Sequence, residues 1–270
     1  MHRGLKEEVF KSWLEQLIRH YDQFDNLFSF IASKFPDFTD RLDIIQDFAE
    51  ELINYEKDVE ELFQKDLYNI DPDTFNIQFV ERELENIRKA LIYICSMSAV
   101  DFERLCALVL KYIGCSPFHS TKRTHDQGID FVGIIREEKE RKLLYRGNAV
   151  SKIFVIGQAK HYEHGKVEAK EVRELAGSIY LLRSRSFAVV DEPYKGITTE
   201  IKAYTPIFAY FITSNFFTQS AKQLCKNADI MFVDRILLAM IFGLSEEYQR
   251  EGHFSTNELE KAIHSVAHIH

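Results

Sequence analysis

The sequence predicts an all-helical N-terminal bundle followed by an α/β domain, a mixed sheet flanked by helices. Three observations carry this. Through the first hundred residues apolar side chains recur every three or four positions, the period of a helix with one buried face. From residue 116 to 243, short β-prone apolar runs alternate with helical stretches, the pattern of a layered sheet. Charge divides in the same place: residues 1–100 hold 11 basic and 21 acidic residues, whereas the rest hold 23 and 21.

Phe10, Trp13, Leu14, Leu17, Tyr21, Phe24 and Phe28 predict a helix over residues 5–33, ended by Pro36. Ile45, Phe48, Leu52, Tyr55, Val59 and Leu62 form a second stripe, broken at Asp71-Pro72-Asp73. Leu84, Ile87, Leu91 and Ile94 mark a third. Short joints between amphipathic helices predict an antiparallel bundle. Its aromatic stripe reads as core, with a partner groove or dimer face as the alternative. Its acidic face reads as solvated surface, with DNA mimicry as the sharper alternative.

Ser98 and Asp101 then form a helix-start signal ahead of Phe102, Leu105, Leu108, Val109 and Tyr112, with Gly114 as the stop. Strands are expected over 116–121, 129–135 and 152–160, a helix over 167–182, a buried strand over 206–213, a helix over 216–227 and a last strand over 229–233. Asp234 is placed to cap a helix over 235–242, and residues 245–270 read as a helical tail. Residues 183–204 read as a long excursion shaping a groove. The expected domains are 1–97, 98–243 and 244–270.

Chemistry concentrates in His125-Asp126-Gln127-Gly128-Ile129-Asp130 and in Gln158-Ala159-Lys160. Asp130 opens one apolar strand run, and Gln158 and Lys160 close the next. Residues two apart on a strand share a face, so Gln158 and Lys160 point together and Ala159 points away. Polar groups at the end of a buried strand are costly without partners. A carboxylate, an amide oxygen and an ammonium there suit a bound cation and an activated water. Gly128 permits a tight turn before the strand. By periodicity alone Glu103 is a solvated glutamate on the flank of its helix. His119, His125, His161 and His164 lack the ligand spacing of a closed zinc site and read as surface or DNA-facing residues. Lys166, Lys170 and Arg173 either hold phosphates or are simply solvated.

The ordered set Phe102-Glu103, Asp126-Gln127-Gly128-Ile129-Asp130, Gln158-Ala159-Lys160, Val172-Arg173-Glu174-Leu175-Ala176-Gly177, Phe211-Ile212-Thr213-Ser214, Phe216, Thr218, Ala221 and Ile230 to Asp234 resembles the Mrr-type restriction endonuclease domain of the PD-(D/E)XK nuclease superfamily. It covers residues 98–243. Gln127 departs from the family's second glycine, and the 28 residues from Asp130 to Gln158 exceed the usual gap. A lengthened hairpin across Arg136 to Lys152 absorbs the excess. The resemblance implies a restriction-endonuclease-like sheet and Mg²⁺-dependent hydrolysis of double-stranded DNA, with Mn²⁺ as substitute, by a homodimer in restriction or phage defence. It implies Asp130, Gln158, Glu103 and the Ala159 carbonyl as metal ligands and Lys160 as the group that orients the attacking water. Glu103 thereby gains a role its spacing does not give it. His125, Lys122, Arg123, Lys166, Lys170 and Arg173 become candidate DNA contacts, and Asp126 a holder of loop geometry.

Composition limits the alternatives. Hydrophobic residues make up 46% of the 270, enough for sizeable cores and against global disorder. No run of roughly 18 apolar residues predicts a membrane span, and the charged start lacks a signal segment. Cys95, Cys106, Cys115 and Cys225 are scattered, which predicts a reducing cytoplasm rather than a disulfide framework. The net charge of −8 and the neutral Gln158 keep open a nucleic-acid-binding or partner-binding module with a degenerate site.

Overall fold

The computed structural model describes residues 5–38, 42–121, 128–136, 152–184, 200–201 and 205–266. The chain forms two compact units, Met1–Tyr93 with Ala239–Thr256, and Ile94–Leu238 with Asn257–His270. Among the described residues no helix is long and apolar enough to cross a membrane.

The first unit is built on helices α1 (Glu7–His20), α2 (Leu27–Lys34), α3 (Leu42–Phe63) and most of α4 (Glu81–Ser96). The aromatic stripe is core. Trp13 and Phe48 meet edge to face at 5.3 Å, and Phe30 stacks on Phe48 at 6.1 Å. The single helix expected over 5–33 is two, because the Asn26 side chain accepts from the Phe28 amide at 2.9 Å and starts α2 afresh. Phe28 consequently turns outward and is 41% exposed. A short antiparallel hairpin, β1 (Tyr68–Ile70) and β2 (Ile77–Phe79), stands around the Asp71-Pro72-Asp73 break. Its turn is held by the Asp71 carboxylate, which accepts from the Asp73 and Thr74 amides at 2.9 and 3.2 Å.

The second unit holds a five-stranded mixed sheet in the order β3 (Phe118–Ser120), β4 (Phe131–Arg136), β5 (Lys152–Lys160), β6 (Ile207–Thr213), β7 (Ile230–Val233). β3, β4 and β5 pair antiparallel; β5, β6 and β7 pair parallel. Helix α5 (Ala99–Tyr112) precedes the sheet, and the Ser98 hydroxyl caps it by accepting from the Asp101 amide at 3.1 Å. Helices α6 (Ala169–Arg183) and α7 (Gln219–Asn227) follow β5 and β6, as parallel pairing requires. Asp234 caps α8 (Arg235–Leu244), accepting from the Ile236 and Leu237 amides at 3.1 and 3.0 Å.

Two apolar layers sandwich β5. Val132, Phe154 and Ile156 cluster with Leu182 of α6. On the other face Leu110 of α5 lies 2.9 Å from where a Cβ on Gly133 would be. A Cβ on Gly157 would run into the Phe131 ring, so only glycine lets that ring lie across the strand. The expected helical tail is different: a hairpin, β8 (Gln249–Arg250) and β9 (His253–Phe254), precedes α9 (Thr256–Ser265). Glu251 and Gly252 turn it with φ of 56° and 83°, the left-handed conformation of a tight hairpin turn.

Candidate active site

The carboxyl end of β5 is where apolar packing stops and polar groups are buried. Asp130, immediately before β4, is 8% exposed, and Gln158 is 4% exposed. One Asp130 carboxylate oxygen accepts from the Ala159 main-chain amide at 2.7 Å, and the Asp130 amide donates to the Gly157 carbonyl at 2.9 Å. The aspartate is therefore held on β5 by backbone at two successive points. A charge-assisted bond of this length fixes the carboxylate as well as satisfying it. Gly128, with φ of 76°, leads into Asp130; a Cβ there would stand 3.2 Å from the Ser178 hydroxyl and 3.4 Å from the Gln158 amide nitrogen. The turn is thus glycine for two reasons, its conformation and the close approach of α6 and β5.

Cys106, a residue the sequence does not flag, feels the charge of both Asp130 and Glu103. Cys106 lies one turn after Phe102 on α5 and is fully buried. Burial, and then the negative charges of Asp130 and of Glu103, push its thiol well above the ordinary range. Gln158 shares the Ile156 and Lys160 face of β5, by strand alternation, and sits beside Gly128 and Ser178. Its Oε1 is buried without a hydrogen bond. Glu56 and Glu83 also leave one buried oxygen so, but the other oxygen of each is bonded, to the Leu67 amide and to Arg82. Lys160 ends β5, half-buried, and its carbonyl accepts from the Thr213 hydroxyl at 2.9 Å and the Ser214 amide at 3.1 Å.

The chemistry of this donor set fits a hard cation. At this strand end Asp130 offers a carboxylate, Gln158 an amide oxygen without another partner and Ala159 a main-chain carbonyl, all oxygen; Glu103 is on α5, whose Leu110 packs on the other face of the sheet. Among the described residues no three His, Cys, Asp or Glu side chains converge as a ligand cluster, so a cation here would take Gln158 and backbone oxygen as well as Asp130 and Glu103. Lys166, Lys170 and Arg173 are exposed, on the approach to α6 and its first turns; Lys170 reaches Glu174 at 3.9 Å. Lys122, Arg123, His125, Asp126 and Gln127 lie outside the described residues, as do most of the inserted segment after Arg136 and of the excursion after residue 183.

Sequence reasoning missed a polar group beside Lys160. His161 is half-buried, not a surface residue: its ring stacks on Phe102 at 5.1 Å and its Nδ1 lies 2.7 Å from the Ser214 hydroxyl. Tyr162 bonds through its hydroxyl to Glu171, whose other oxygen accepts from the Glu168 amide at 2.8 Å. Burial, reinforced by Glu171, pushes that phenol well up. These contacts join positions up to 59 residues apart, and no periodicity signals them.

Residues 94–191 match the Mrr_cat family, described as restriction endonuclease. Two solved structures are similar to the chain. The first is the MspJI restriction endonuclease in complex with a 27-mer oligonucleotide, at 14% identity and TM-score 0.43 over 70% of this chain and 36% of that one. The second is the DNA modification-dependent restriction endonuclease AspBHI, at 12% and 0.43 over 69% and 40%. The chain spans well under half the length of either. Comparison with curated proteins finds no match.

Proposed function

We propose that this protein is a metal-dependent endonuclease that hydrolyses phosphodiester bonds of double-stranded DNA, as a homodimer serving restriction or phage defence in the cytoplasm. One observation carries the reading: within a restriction endonuclease domain, a backbone-anchored Asp130 and an unbonded, buried Gln158 Oε1 lie at the strand end that carries Lys160. Asp130, Glu103, Gln158 Oε1 and the Ala159 carbonyl would hold Mg²⁺ or Mn²⁺. The cation supplies charge neutralisation at the phosphate and a more acidic water. The Ala159 amide keeps Asp130 oriented. Lys160 orients the attacking water and stabilises charge developing on phosphorus. Lys166, Lys170 and Arg173, with His125, Lys122 and Arg123, are proposed phosphate contacts, whose effect would be salt-dependent. The N-terminal helical part, residues 1–97, is proposed to select the target, sense a signal or dimerise. No disulfide joins the four cysteines, in keeping with a reducing compartment.

The test is incubation of purified protein with methylated and unmethylated plasmid in Mg²⁺, Mn²⁺ or EDTA. Cleavage is expected only with metal, reduced by about 10³-fold in Asp130→Ala and in Lys160→Ala, the scale of losing an acid–base or charge-stabilising group. Nicking by Lys160→Ala equal to wild type would contradict the assignment. Tight DNA binding without turnover in any metal would instead favour a binding module with a degenerate site.

A further inference from the structure

His161 is not needed to explain the donor set, yet more fixed contacts meet at this residue than a solvent-facing histidine requires. Its ring lies at 29° to that of Phe102, with centroids 5.1 Å apart. Phe102 is fully buried on α5 and precedes Glu103 in the chain. On its other side His161 meets Ser214, which is 1% exposed and follows β6. Three successive residues are tied to this spot. The Lys160 carbonyl accepts from the Ser214 amide at 3.1 Å, His161 Nδ1 lies 2.7 Å from the Ser214 hydroxyl, and the Tyr162 amide donates to that hydroxyl at 2.9 Å. The hydroxyl has one proton to give. Its route to Nδ1 is shorter than its route to the Tyr162 carbonyl, 3.5 Å away. The ring is therefore held at its edge by β6 and on its face by α5.

We propose that His161 is a positioning residue of the candidate active site: stacked on Phe102 and bonded to Ser214, it clamps the end of β5 that carries Lys160 against the turn of α5 that carries Glu103. Lys160 and Glu103 lie on separate elements, the end of β5 and the start of α5. The ring links the two at this end, because the clamp residues His161 and Phe102 are their immediate chain neighbours. Loss of the ring lets α5 lift locally from the sheet end while the rest of the core, Leu105 and Leu110 included, stays packed. The packing part of this inference stands alone; its catalytic part rests on the nuclease reading.

Cys106 reports the packing part without reference to activity. It lies one turn after Phe102 on α5, buried, with a thiol held protonated, so it reacts slowly unless α5 opens. Cys225, buried in the cluster under α7, is the control. Site-resolved alkylation by peptide mass spectrometry is measured on wild type, His161→Ala and His161→Phe. Modification of Cys106 is expected to accelerate about tenfold in His161→Ala, the signature of cheaper local opening, and to return most of the way in His161→Phe, which keeps the stack. Cys225 should not change in either. In the plasmid assay His161→Ala should lose roughly 10- to 100-fold in kcat, as misplacement of reacting groups does, with KM for DNA within about twofold. Part of that loss should be recovered in His161→Phe. Unchanged Cys106 protection in His161→Ala overturns the clamp. So does equal acceleration at Cys106 and Cys225, which would mean general unfolding. Accelerated Cys106 with unaltered kcat overturns the positioning role. A wild type that cleaves nothing removes the nuclease reading, and the Cys106 rates still decide the clamp.

Discussion

The two halves of β5 are built from one continuous strand and follow opposite rules. From Phe154 to Ile156 the strand is paired to both β4 and β6, and Phe154 and Ile156 go into an apolar layer. From Gln158 to Lys160 the strand keeps its pairing to β6, but β4 has given way to Asp130, whose carboxylate takes the Ala159 amide. Gln158 there is polar and buried, and Lys160 is half-buried. The first half is stabilised by removing carbon from water. The second retains a buried amide oxygen with no hydrogen bond, a loss of stability that natural cores avoid. The difference shows where this fold tolerates instability.

The comparison breaks most visibly under paired substitutions. Ile156→Ala should cost about 2–5 kcal/mol in urea unfolding, a buried large-to-small change, and impair cleavage only through loss of folded protein. Gln158→Met should do the reverse, leaving stability unchanged or raising it by about 1 kcal/mol because an unsatisfied acceptor is removed, while cleavage falls steeply. If Gln158→Met destabilised as much as Ile156→Ala, the two halves would not differ in kind. Gly128→Ala sharpens the boundary between them. Its positive φ and the nearby Ser178 and Gln158 should cost about 1 kcal/mol, with a larger proportional fall in activity than in stability; calorimetry and the plasmid assay on one preparation separate the two.

The smallest effect concerns a titratable group in the apolar flank. His119 on β3 has a buried Nδ1 without a hydrogen bond, and burial lowers its pKa. The folded state thus prefers neutral imidazole. Its contribution is fully present above the ordinary histidine value and is lost as pH falls through that value toward the lowered one. Unfolding free energy measured from pH 7 to pH 5 should therefore fall less in His119→Phe than in wild type. An equal fall in both would remove His119 as a source of acid sensitivity.

Much of this was legible in the residues. The unbroken apolar run fixed β5 to within its observed bounds, Ser98 and Asp234 announced their helices as caps, and the Asp130, Gln158 and Lys160 types pointed to the strand end. What was illegible has physical causes. The helix break at Asn26 was masked because Phe24 and Phe28 keep a four-residue spacing through it. The hairpins at residues 68–79 and 249–254 have strands of three and two residues, too short for alternation to register. Cys106, His161 and Ser214 gain their importance from contacts between α5, the end of β5 and the end of β6, which local patterning does not encode.

The most direct measurement is Mn²⁺ binding, followed by electron paramagnetic resonance on wild type, Asp130→Asn and Gln158→Met at one protein concentration. One site per chain is predicted for wild type, with affinity reduced by about 10-fold or more in both variants, as loss of a ligand or its support does. Mn²⁺ that fails to bind wild type, or binds all three proteins alike, would contradict a cation site at the end of β5.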